Sequence, residues 1–82
     1  MKLSAEFVFE AQNAGIIYQA VLPELDEAFS ERSVIGLSLE DASSLVLTVK
    51  AEDVVSMRSA LNTWFRLIQI AQEVSEAAAE AR

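Results

Sequence analysis

Cysteine and histidine are both missing from this 82-residue chain, and glycine and proline are scarce, at two and one. Without Cys or His there is no disulfide, no thiolate nucleophile, no ordinary zinc site and no imidazole base, so redox, metal and His-dependent acid/base chemistry are disfavoured together. With so little glycine there is no Gly-rich phosphate loop and no nucleophile elbow, and the serines have no His or obvious Lys base beside them. Basic residues are few as well, six against thirteen acidic ones, for a net charge of -7. A domain that holds nucleic acid by itself ordinarily carries the opposite excess, because it must neutralise phosphates. No window approaches the roughly 18 uncharged apolar residues of a membrane span. Glu6 and Glu10 interrupt any apolar start that a signal peptide would need. A cytoplasmic protein without cofactor, metal or membrane segment is expected.

What the chain does contain is apolar and regular. With 52% hydrophobic residues it is too apolar for disorder, and its length fits a single domain over residues 1–82 with one small core. From Lys2 to Glu10, Leu3, Ala5, Phe7 and Phe9 alternate with Lys2, Ser4, Glu6 and Glu10, the pattern of a strand with one buried face. Asn13 stands where a cap would open a helix over Ala14 to Leu22, and Pro23 is expected to end that helix by disfavouring the α conformation at Leu22. Glu24 to Glu31 reads as an acidic connector with Leu25 and Phe29 as apolar anchors. It lacks the ligand spacing and central Gly of a calcium-binding loop. Ser33 to Glu40 and Ser44 to Lys50 alternate again and form a hairpin about Asp41, Ala42 and Ser43. Gly36 marks a bulge or a close approach within the first of these strands.

The longest element is a helix from Val54 to about Ala77. Met57, Leu61, Trp64, Ile68 and Ala71 recur at steps of four and three, flanked by Val54, Ala60, Leu67 and Val74, while Arg58, Asn62, Arg66, Gln69 and Glu73 form a polar stripe. Asp53 is placed to cap this helix, which is a better reading of Glu52 and Asp53 than an acid/base pair. The tail, about residues 76–82, has little to pack against and is expected to fray. The order βαββα and a right-handed crossover predict a two-layer α+β domain: a three-stranded antiparallel sheet of order 1-3-2 with both helices on one face.

The binding candidates all lie on the long helix. Arg58, Asn62 and Arg66 share one edge and suit a phosphate or a partner carboxylate, against the plain alternative of a solvated stripe. Trp64 and Phe65 fit packing better than nucleobase stacking. Leu61, Trp64, Phe65, Ile68, Ile70, Ala71 and Val74 are the expected partner or dimer interface. About 36 Å of helix overhangs strands of about 20 Å, so Ile68, Ile70, Ala71 and Val74 are expected to project beyond the core.

A resemblance to a known family is carried by Ala51, Asp53, Met57-Arg58, Ala60-Leu61-Asn62-Thr63-Trp64 and Arg66. The run is similar to the signature helix of the small Pcc-type subunit of the KEOPS complex, where a strand ending Ala-x-Asp leads into Leu-Arg-Ala-x-Leu-Asn-Ser-x-Leu-Arg. Met57, Ser59, Thr63 and Phe65 replace Leu, Ala, Ser and Leu of that pattern. Leu22-Pro23-Glu24, Glu31-Arg32-Ser33 and the apolar runs before Ala51 follow in the family's order. The resemblance implies a non-catalytic subunit that forms a homodimer and docks on the complex's catalytic threonylcarbamoyl-transferase subunit. It would touch tRNA only as part of the complex that makes threonylcarbamoyladenosine. The compact form looks archaeal-like. The alternatives are a KH-like RNA-binding module acting directly on tRNA, disfavoured by the charge and the missing Gly-x-x-Gly clamp, and a small-ligand regulatory domain of ferredoxin-like shape, for which no distinctive polar pocket is evident.

Overall fold

The computed structural model describes residues 1–27 and 30–80. Along the chain run β1 (Leu3–Glu10), α1 (Ala14–Glu27), β2 (Ser33–Asp41), β3 (Ser44–Ala51) and α2 (Val54–Glu80). The strands form one antiparallel sheet in the order β1-β3-β2, so the expected two-layer α+β architecture is the observed one. Among the described residues no helix is long and apolar enough to cross a membrane.

The period-two pattern decides which face is covered. Phe7 pairs with Leu47 and Leu47 with Leu37; Ala5, Val49 and Ile35 form the next row. These residues all point to the helix side, where Leu45, Leu47 and Val49 of the central strand are buried almost completely. Ala14, Ile17 and Val21 of α1 and Ala60, Trp64 and Ile68 of α2 close over them, and the nine make one continuous core. The opposite face stays open: Val8 and Val34 are about half exposed there, at 49% and 54%. Gly36 sits across from Thr48 on that open face, and a Cβ at Gly36 would collide with the Thr48 hydroxyl oxygen. The glycine therefore serves close approach. The irregularity in β2 lies further on, between Leu39 and Asp41.

Helix α1 departs from the expected boundary. It does not stop before Pro23 but carries Pro23 inside and continues to Glu27. A proline ring removes one backbone donor and crowds the carbonyl four residues earlier, here that of Gln19. Both Gln19 and Pro23 are exposed, so water can hydrate the freed carbonyl. The first part of the expected acidic connector is therefore helical, and Leu25 packs against the core; Phe29 lies outside the described residues. Asn13 also differs. Its carbonyl accepts the Ile17 N–H at 3.0 Å, as an N-cap residue's does, but its side-chain amide donates to Ser75 Oγ at 3.0 Å, 62 residues away.

Candidate functional site

Helix α2 begins at a small polar junction. Asp53 Oδ1 accepts the Ser56 N–H at 2.7 Å, satisfying one of the first-turn donors that no helical carbonyl can reach. Its other oxygen takes a hydrogen bond from Arg32 Nη2 at 2.8 Å, and the Glu52 N–H donates to the Arg32 carbonyl at 3.0 Å. The backbone N–H of Ser56, then its hydroxyl, then the Arg32 guanidinium stabilise the carboxylate, so the Asp53 carboxyl titrates below its ordinary range. The start of β2 is thus tied to the start of α2. A hollow of about 640 Å³ lies between these elements, with Ser33, Ile35, Ser59, Thr63 and Trp64 among its lining. Apart from the Arg32–Asp53 pair, it holds hydroxyls and apolar side chains, a poor set for acid/base chemistry.

Further along, the structure separates the expected interface residues into three groups. Trp64 and Ile68 are 2% and 3% exposed and belong to the core, which corrects the expectation that Ile68 projects beyond it. Leu61, Phe65 and Ala71 are partly buried and pack against that core. Phe65 meets Phe7 edge to face at 4.8 Å between centroids and Phe9 at 5.9 Å, which clamps α2 over β1. Only Ile70 and Val74 are large and outward-facing, at 50% and 63% exposed.

These two continue the polar edge. Arg58, Asn62, Arg66, Ile70 and Val74 stand at successive steps of four and all are exposed, so they form one inclined ridge. Its first half is cationic and its second half apolar. Among the described residues the only ion pair is that of Arg32 with Asp53. The overhang is shorter than lengths alone suggest, because α1 and the Asn13 amide support α2 as far as Ser75. Beside that contact, Ala11, Gln12, Asn13, Ile16, Ser75, Glu76 and Ala78 line a groove of about 620 Å³. Ile16, 62% exposed on α1, adds an apolar contact point that the sequence pattern did not single out. Its position beside Val21 and Ile17 in an apolar helix hid it; only the placement of α1 shows which of its apolar residues the core leaves out.

A family model described as "Transcription factor Pcc1" matches residues 2–76, nearly the whole chain. No curated protein matches.

Proposed function

Because the chain belongs to the Pcc1 family, a family of non-catalytic KEOPS subunits, we propose that it forms a homodimer and docks on the complex's catalytic threonylcarbamoyl-transferase subunit. In that role it supports threonylcarbamoyladenosine modification of tRNA without contributing a reacting group. The observation that supports this reading best is the ridge on α2. Ile70 and Val74 expose half or more of their surface on a helix whose remaining large apolar residues are at least partly buried from Met57 onward. They offer a helical surface for other helices to pack on, and apolar surface of this kind marks protein association. Arg58 and Arg66, with Asn62 between them, border it as candidates for a partner carboxylate or a tRNA phosphate in the assembled complex.

The test is a paired measurement of circular dichroism and pull-down yield on a variant carrying Ile70→Asp and Val74→Asp. Both side chains are exposed, so the fold and the homodimer should survive. Co-purification of the catalytic subunit should be lost, because a carboxylate buried in an apolar helix contact loses hydration without gaining a partner. Retention at the wild-type yield would remove this ridge as the docking surface. Filter binding of bulk tRNA separates the direct RNA-binding reading: the proposal requires weak retention by this chain alone and strong retention once the catalytic subunit is present.

A further inference from the structure

The hollow at the start of α2 gathers residues that lie far apart in the chain: Arg32 and Ser33 beside the start of β2, Asp53 before α2, and Ser56, Ser59 and Thr63 along its opening turns. Its volume of about 640 Å³ falls within the roughly 300 to 1,000 Å³ that small-molecule sites occupy. What the lining offers is hydrogen bonding without net charge. The Arg32 guanidinium and the Asp53 carboxylate neutralise each other at 2.8 Å, and both stay reachable, with 68% and 41% of their side chains exposed. The guanidinium has donors to spare, and each Asp53 oxygen keeps an acceptor position beyond its bond to Arg32 or Ser56. The hydroxyls of Ser33, Ser59 and Thr63 make no hydrogen bond among the described residues. Ile35, with Ala60 and Trp64 of the closely packed core, completes the wall with apolar surface.

We propose that this hollow binds a small neutral polyol, a sugar or the ribose of a nucleoside, through its vicinal diol. Each hydroxyl of such a diol both donates and accepts. The Arg32–Asp53 pair holds a set of donors and a set of acceptors side by side, which is what two adjacent hydroxyls need. The hydroxyls of Ser33, Ser59 and Thr63 can take the remaining oxygens of the ring, exchanging bonds to water for bonds to ligand. The C–H surface of a sugar ring suits Ile35 and the core wall.

Other ligand classes fit this lining less well. A phosphate would find its cation already neutralised by Asp53, with the carboxylates of Glu31 and Glu52 next in sequence to the pair. A hydrocarbon would strip water from the hydroxyls and leave them unpaired, which costs binding free energy. No residue of the ridge from Arg58 to Val74 lines the hollow, so the inference stands apart from the assembly proposed above.

The composition supplies its own reporters. The single tryptophan gives one indole N–H resonance, from Trp64 in the wall, and the two glycines, Gly15 and Gly36, give backbone resonances from outside the hollow. Methyl riboside is titrated into the isotope-labelled full-length chain and followed by heteronuclear NMR. The Trp64 indole resonance should shift saturably with a dissociation constant of about 1 to 10 mM, while Gly36, across from Thr48 on the open face, stays in place. The deoxyriboside, lacking one hydroxyl of the diol, should bind at least about fivefold more weakly, because the groups that met it are left unpaired. Ribose phosphate should bind within about twofold of the riboside, since the pair carries no net charge. Ser59→Ala with Thr63→Val, both at exposed positions, should keep the circular dichroism spectrum and weaken binding about fivefold. Ile70→Asp with Val74→Asp should leave riboside binding unchanged, whatever becomes of docking. An indole resonance that does not saturate, or a Gly36 shift of equal size, overturns the inference. So does equal affinity for the deoxyriboside or in the Ser59→Ala, Thr63→Val variant. Ribose phosphate binding about tenfold tighter than the riboside would make the hollow an anion site and overturn the neutral assignment.

Discussion

Ile68 and Ile70 are the same side chain two residues apart on one helix, and the structure assigns them opposite environments, at 3% and 50% exposed. Ile68→Ala removes three buried carbons. At about 0.8 kcal/mol per buried methylene the transfer loss is about 2.4 kcal/mol, and the cavity left in the core that Ile68 shares with Trp64 brings the expected cost to about 3 to 4 kcal/mol. Ile70→Ala loses at most about half of the transfer term and regains part of it from alanine's helix propensity, so less than about 1 kcal/mol is expected. For an 82-residue chain the whole stability is of the order of 4 to 12 kcal/mol, which makes the first change severe and the second nearly silent. The assay is urea unfolding followed by fluorescence. The chain has a single tryptophan, Trp64, buried in the same cluster, so the emission reports loss of that core directly. With a slope near 1 kcal/mol per molar urea, Ile68→Ala should lower the midpoint by about 3 to 4 M and Ile70→Ala by less than about 1 M. If Ile68→Ala unfolds outright, Ile68→Val, at about 0.5 to 1.5 kcal/mol, keeps the comparison measurable. Both variants should be run at two protein concentrations, so that dimer dissociation is separated from loss of packing. Equal costs at the two positions would mean that α2 is rotated from the orientation described, and the docking ridge with it.

Acid should weaken the α2 cap. The Asp53 carboxyl is lowered by the Ser56 N–H, the Ser56 hydroxyl and Arg32, and Asp41 by the Ser43 N–H and hydroxyl, so the folded state holds fewer protons than the unfolded one as pH falls. Their contribution is fully present above the unfolded value of 3.8 and disappears as pH drops through the lower folded values. Asp53→Asn should therefore lower the urea midpoint at pH 6 and make little difference at pH 2. A Gly36→Ala change should destabilise by about 1 to 3 kcal/mol through contact with the Thr48 hydroxyl. Gly36→Ala combined with Thr48→Ala should recover most of that in the same unfolding assay. Amide exchange should be fast beyond Ser75, where α2 leaves its hydrogen bond to Asn13, and slow around Trp64; equal protection along the whole helix would contradict a fraying tail.

The strands were readable because alternation and burial coincide in them: Leu3, Ala5, Phe7 and Phe9 all face inward, and the one apolar residue that breaks the pattern, Val8, faces out. The helices were harder. Pro23 marks a helix end when the freed carbonyl would be buried, but here it sits on the exposed side, and burial of that side depends on where α1 lands on the sheet. Asn13 has the right chemistry for a side-chain cap, yet a partner 62 residues away takes its amide. The broad apolar face of α2 gave the core and the ridge the same appearance. Trp64, Ile68, Ile70 and Val74 separate only when α2 is set against the sheet and α1, because the shared core takes in the first two and leaves the others outside. The edge position of β2 was legible, because the expected order 1-3-2 already places that strand outermost, and the sheet has that order.

That strand order also sets a timetable for synthesis. The central strand is β3, the last of the three to be made, and both outer strands pair with it. The hairpin of β2 and β3 can close locally, across Asp41 to Ser44. β1 has no such option: its row from Leu3 to Glu10 is matched by residues Ser44 to Ala51 read in reverse, so Leu3 waits for Ala51. At roughly 5 to 20 residues per second, that is several seconds during which β1 is in the growing chain without its strand partner, and Phe7 and Phe9 wait longer still for Phe65 of α2, which packs over them. A fragment ending before Ser44 would carry the same uncovered face permanently. β1 is therefore a segment in need of protection while β3 and α2 are being made, whether by the ribosome surface or by a chaperone.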